Sequence, residues 1–155
     1  ETFRIIFVFQ ICCSPETAGV DATVSNTAQD IFTISFAVGS GFADVAVDEW
    51  DGNYEIFDVE HPMGVIYPAN FSTSPIPGCE VAPVVDVTMT FQKIHLGTPT
   101  VAGTFFIAAG TTVGTLTTSG GLALTIPVGD RLRLYADAAV DTTIIGVFGT
   151  VMGKR

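Results

Sequence analysis

Seven carboxylates fall within residues 44–60 (Asp44, Asp48, Glu49, Asp51, Glu55, Asp58 and Glu60), and Asn53 adds an amide oxygen. Hard cations are held by clustered oxygen ligands, so Asp48, Asp51, Asn53 and Glu55 form a candidate calcium set. The spacing is not that of an EF-hand loop. Alternation along a strand also sends neighbouring carboxylates to opposite faces, which makes a solvated acidic hairpin the competing reading. Two carboxylates for glycoside hydrolysis would have to come from this cluster, yet nothing in it selects a pair.

Of the two imidazoles, His61 stands before Pro62 at a strand end and His95 at a change of strand parity, so both are expected to be surface side chains. Neither has a serine or cysteine in a recognisable nucleophile setting: Gly39-Ser40-Gly41 lacks the outer glycines of a nucleophile elbow. Phosphate loops and dinucleotide fingerprints are also missing. No catalytic residue is assigned, and a non-enzymatic domain is expected. Trp50, Tyr54 and Tyr67 are dispersed aromatics that would serve as a glycan platform, or else as half-buried strand residues. Asn70-Phe71-Ser72 has the form of a glycosylation sequon. Arg131, Arg133 and Tyr135 share one strand face, and in so acidic a chain they are expected to pair with carboxylates of a neighbouring strand or subunit.

Cys12, Cys13 and Cys79 are the disulfide candidates. Joining Cys79 to one of the other two would close a loop of about 66 residues and contribute about 4 kcal/mol. Three buried thiols are the alternative.

The elements that must position these groups are strands, because apolar residues recur at every second position. Within residues 2–11 the odd positions from Phe3 and Ile5 onward are all apolar, while Ile6 and Val8 lie on the other face beside Arg4 and Gln10. Phe32, Ile34, Phe36 and Val38 alternate with small residues in the next strand. Asp51-Gly52 predicts a hairpin turn. Residues 62–83 hold five of the eight prolines and read as a long surface excursion containing a short strand over Val65–Tyr67. Val87, Met89 and Phe91 point one way, then Ile94 and Leu96 the other, which predicts a β-bulge. Further strands are expected over residues 104–109, 111–117, 122–128, 131–136 and 143–152. Some nine short strands with glycine-rich turns and no helical period predict one all-β domain over residues 1–155, an antiparallel β-sandwich of jelly-roll type.

The whole-chain numbers narrow the partners. Sixteen acids against six bases give a formal charge of −10, which disfavours nucleic acid and anionic lipid. No apolar run is long enough for a membrane-spanning helix. The apolar start reads as a strand rather than a secretory signal. With 48% hydrophobic residues, only 14% charged and a mean hydropathy of +0.50, the surface is too apolar for a solitary monomer, and self-association is expected. Phe3, Ile5, Ile6 and Val8 are the candidate assembly residues, since an apolar edge strand needs cover.

Residues 85–152 carry turns that resemble a known group. Gly97-Thr98-Pro99, a Gly/Thr-rich hairpin after it, and Ile126-Pro127-Val128-Gly129-Asp130-Arg131-Leu132 are similar to the turns of small β-sandwich or jelly-roll domains in tailed-phage virion proteins, such as tail-fibre heads and capsid decorations. Similar turns occur in spore-surface and collagen-tip domains of tumour-necrosis-factor-like shape. The resemblance implies a virion structural or attachment domain at the virion surface. It would form a homotrimer or larger array and contact other virion proteins or a cell-surface glycan. A secreted carbohydrate-binding or adhesive sandwich, or an extracellular filament subunit using strand complementation, are the alternatives. No cofactor is expected beyond a possible calcium ion.

Overall fold

A computed structural model describes residues 20–27, 31–38, 54–136 and 144–155. Its strands are β1 (Val20–Thr27), β2 (Ile31–Val38), β3 (Tyr54–Glu60), β4 (Val65–Tyr67), β5 (Val87–His95), β6 (Thr98–Ile107), β7 (Gly114–Thr118), β8 (Leu124–Ile126), β9 (Arg131–Ala136) and β10 (Val147–Lys154). The only helical turns among the described residues are 3-10 turns at Ala69–Phe71 and Ser119–Gly121. The strands form two five-stranded antiparallel sheets, one ordered β1-β2-β10-β4-β8 and the other β3-β9-β5-β6-β7. The all-β sandwich read from the alternation is the observed class.

The alternating residues meet between the sheets. Phe32, Ile34, Phe36 and Val38 of β2 face Phe57, Phe91, Phe105 and Leu134 of the opposite sheet in one continuous core. Aromatic rings run through it from Phe36 to Phe57 (centroids 5.6 Å apart), to Phe91 (6.2 Å), to Phe71 (4.9 Å) and to Tyr67 (5.6 Å). Burying each such side chain is worth about 1.5–3 kcal/mol, so this line is a major part of what holds the layers together. Strand β10 passes over it closely because its inward positions include glycine. A Cβ on Gly149 would lie 2.5 Å from the Phe36 ring, and one on Gly153 2.4 Å from Val65.

The proline-rich excursion is ordered by specific ties. Strand β4 has the bounds expected for it. After it, Phe71 is driven into the core by a turn in which Asn70 and Phe71 both take positive φ (53° and 50°). The Asn70 amide N–H donates to Thr118 Oγ1 (2.9 Å), and the Thr118 amide N–H donates back to Asn70 Oδ1 (3.2 Å). The sequon asparagine is thus a clamp between the excursion and β7. Further on, Gly78 and Phe148 exchange two backbone hydrogen bonds of 3.0 and 2.8 Å.

Two sequence expectations change. The bulge lies on β6 rather than β5: Phe91 pairs with Gly103 but Gln92 with Val101, leaving Ala102 as the extra residue, while β5 keeps unbroken register with β9. Leu96 then sits in the hairpin turn with φ 48°, followed by Gly97 at 80°, and is 91% exposed. Strand β1 was not expected. Its sequence VDATVSNT has no wholly apolar face, and among the described residues it pairs with β2 alone.

Candidate functional site

The histidines sit together at one end of the sandwich, and His61 is not at the surface. It is fully buried, with its ring against Phe32 (4.7 Å) and edge-on to Tyr67. Its Nδ1 is 3.0 Å from the Val59 carbonyl oxygen, which can only accept, so the proton resides on Nδ1; Nε2 therefore accepts from the Tyr67 hydroxyl at 2.8 Å. Burial holds the imidazole neutral, with its pKa lowered to about 4, and pushes the Tyr67 phenol well above its ordinary value. His61, one residue past the end of β3, and Tyr67 of β4 thus tie the two sheets together.

His95 is exposed, as expected, and is oriented by a buried carboxylate: Asp130 Oδ1 lies 2.7 Å from His95 Nδ1, with the histidine side chain 59% and the aspartate 5% exposed. The turn that carries Asp130 is pinned from below, since His61 N–H donates to the Asp130 carbonyl and Gly129 N–H to the His61 carbonyl, both at 2.9 Å. An imidazole held by a carboxylate is half of a general-base arrangement. Among the described residues no hydroxyl or thiol is bonded to its other nitrogen.

The outer face of the β3-β9-β5 region is a charged lattice. Arg131 Nε is 2.8 Å from Asp58 Oδ1, and Arg133 Nη1 is 3.8 Å from Glu55 Oε2. Arg133 also donates to Gln92 Oε1 from Nε (3.1 Å) and Nη2 and stacks over Tyr135 (5.2 Å), whose hydroxyl accepts from Gln92 Nε2 at 3.0 Å. The arginines therefore pair with carboxylates of the neighbouring strand. Desolvation raises the pKa of Glu55 and Asp58, with Asp58 adding to the effect on Glu55, against the lowering influence of the two arginines.

The outer face of the other sheet is of opposite character. It presents Ile31, Thr33, Ser35 and Ala37 from β2, Phe148, Thr150 and Met152 from β10, and Ile66 and Thr125 from β4 and β8. Ser35 and Thr150 bond to each other across the strands (3.0 Å), and Phe148 and Ile66 stay 44% and 50% exposed. Among these positions the sole charge is Lys154, at the end of β10, while on β1 Asp21 stands in register with the outward Ala37.

The expected site residues distribute as follows. Tyr67 is fully buried as the partner of His61 and is withdrawn from any glycan platform; Tyr54 opens β3 opposite Ala136, and Trp50 lies outside the described residues. Glu55 is engaged by Arg133, while Asp48, Asp51 and Asn53, together with the Asp51-Gly52 turn, lie outside the described residues. Cys79 is a free, buried thiol with its pKa raised by desolvation, its Sγ 3.8 Å from the Thr111 carbonyl; Cys12 and Cys13 lie outside the described residues. So do Phe3, Ile5, Ile6 and Val8. Sequence reasoning missed the buried role of His61. Its signal was present, a histidine two positions beyond the inward Val59 and hence of inward parity. No helix among the described residues is long and apolar enough to cross a membrane. No protein-family model, no curated protein and no solved structure matches the chain.

Proposed function

We propose that the chain is a non-enzymatic structural or attachment domain that works as a symmetric assembly of copies, a homotrimer or larger array, at the surface of a virion. The observation that carries this reading is the contrast between the two outer faces. A chain of net charge −10 presents alcohols, Phe148, Met152 and Ile66 at the outer positions of β2, β10, β4 and β8, where Lys154 is the one charge. Copies that repel one another elsewhere approach at least cost through such a face.

Strand order supports the jelly-roll form of the sandwich. With edge strands β1 and β7 set aside, the remaining eight run 1-8-3-6 in one sheet and 2-7-4-5 in the other, the winding of a jelly roll. The virion assignment itself rests on the resemblance of the turns around Gly97-Thr98-Pro99 and Ile126–Leu132 to those of phage surface domains. The attachment role would use the opposite face, where Arg133 and Tyr135 stay half-buried while Gln92 beneath them is buried and bonded to both.

The test is the mass of the assembly by analytical ultracentrifugation for the wild type, for Phe148→Glu with Thr150→Glu, and for Thr88→Glu as an exposed control on the other sheet. The double variant is expected to fall to monomer with its strand spectrum unchanged, and the control to keep the wild-type mass. A wild type that sediments as a monomer at all concentrations, or a double variant that assembles normally, ends the reading.

A further inference from the structure

One cation of the described chain is placed where a solvated lysine does not belong. Lys93 follows Val87, Met89 and Phe91 on the inward parity of β5 and lies directly opposite the fully buried Leu132 of β9. It is half-buried, and none of the ion pairs among the described residues includes it. In a chain with ten more acids than bases, a lysine without a carboxylate partner among the described residues runs against the composition.

Beside it the sandwich opens into a cavity of about 130 Å³. The extra residue of the bulge, Ala102, and Val101 line it together with Leu122, Ala123 and Leu124, which lead into β8 of the other sheet. Thr118 and Ser119 supply hydroxyls at the rim. The Thr118 hydroxyl is committed to Asn70, whereas that of Ser119 makes no bond among the described residues. The cavity is open to solvent, with Val101 and Leu122 62% and 71% exposed, and combines a single ammonium, the Ser119 hydroxyl and an aliphatic wall.

We propose that this cavity is a binding site for a free short-chain carboxylate, with the carboxylate on Lys93 Nζ and the Ser119 hydroxyl and the unbranched apolar stem against Val101, Ala102 and Leu124. The charge of Lys93 selects an anion, the carboxylate plane accepts from two donors, and the aliphatic wall selects for a hydrocarbon stem over a hydrated one. The lining includes the start of β8 but none of the outer-face positions named above, and the proposal does not depend on the assembly.

The experiment is titration of the full-length wild type with acetate, propionate, butyrate and butyramide, followed by chemical shifts of Lys93, Ala102 and Leu124 and by calorimetry. Affinity is expected to rise about fourfold per added methylene, the equivalent of one buried CH₂. Butyramide, which has the shape of butyrate without its charge, is expected to bind about tenfold more weakly or worse. Lys93→Met is expected to abolish the preference for butyrate over butyramide. Equal binding of butyrate and butyramide by the wild type overturns the proposal whether or not the variant folds. So does an affinity indifferent to chain length, or a folded Lys93→Met that binds butyrate as the wild type does.

Discussion

His61 is the side chain on which the pH response of this fold turns. The unfolded imidazole titrates near its ordinary 6.5 and the folded one near 4. Between those values only the unfolded chain takes up the proton, so stability is full above pH 6.5 and is lost progressively as the pH falls toward 4, by about 3 kcal/mol. Glu55 and Asp58 act in the opposite sense, because a carboxyl whose folded pKa is raised favours the folded state as it protonates. Urea unfolding across pH 4–7 should therefore show a steep acid limb in the wild type and a flat or inverted one in His61→Gln. A second substitution separates the hydrogen bond from the titration. Tyr67→Phe leaves His61 Nε2 buried without a donor and should cost about 1–3 kcal/mol at pH 7, measured as a shift in the urea midpoint at constant m-value.

Among the strands and turns, the β5–β6 hairpin holds the clearest local conflict. Its two turn residues both have positive φ, an arrangement that asparagine followed by glycine adopts readily and leucine does not. Leu96 is also almost wholly solvated. Leu96→Asn should stabilise the protein by about 1 kcal/mol, and thermal melting compared with the wild type checks it. Gly149→Ala should do the reverse, by about 1–3 kcal/mol, since the new Cβ meets the Phe36 ring. The same elements show what the amino-acid pattern can convey. Alternation placed β2, β4 and β9 because one face of each is wholly apolar or wholly buried. It did not find β1, where Val20, Ala22 and Val24 alternate with polar residues but Asn26 breaks the face. It put the bulge one strand too early, because a bulge changes the phase between two strands and the residues of either one alone do not say which carries the extra member. Lys93 escaped notice for that reason: with the phase change assigned to β5, it read as outward. The pairing of Arg131 and Arg133 was legible, whereas the carboxylate behind His95 was not, because residues 95 and 130 are joined only by the fold.

The molecule as a whole carries two unlike faces, and its association should follow ionic strength accordingly. If copies meet through the charge-poor face of β2 and β10, added salt screens the repulsion between their acidic remainders and removes little from the contact. Sedimentation at low and high salt should show tighter assembly at high salt; weaker assembly would mean an ion-paired interface instead. The position of β10 bears on a different property, the order in which the fold is completed. It lies between β2 and β4, so that Val38 waits for Val147 and Ile31 for Lys154. A chain emerging from the ribosome displays β2 with one side unfilled through the synthesis of every strand between, and the core over Phe36 stays open until Gly149 arrives. Loop closure over that span is slow, and the open side of β2 is meanwhile a template for any other nascent chain. A protein ending at residue 146 should accordingly show no cooperative unfolding transition by near-ultraviolet circular dichroism. Strand β10 acts as a checkpoint: only a chain translated through it can close the layer between β2 and β4, and under the proposed assembly incomplete copies would be barred from joining.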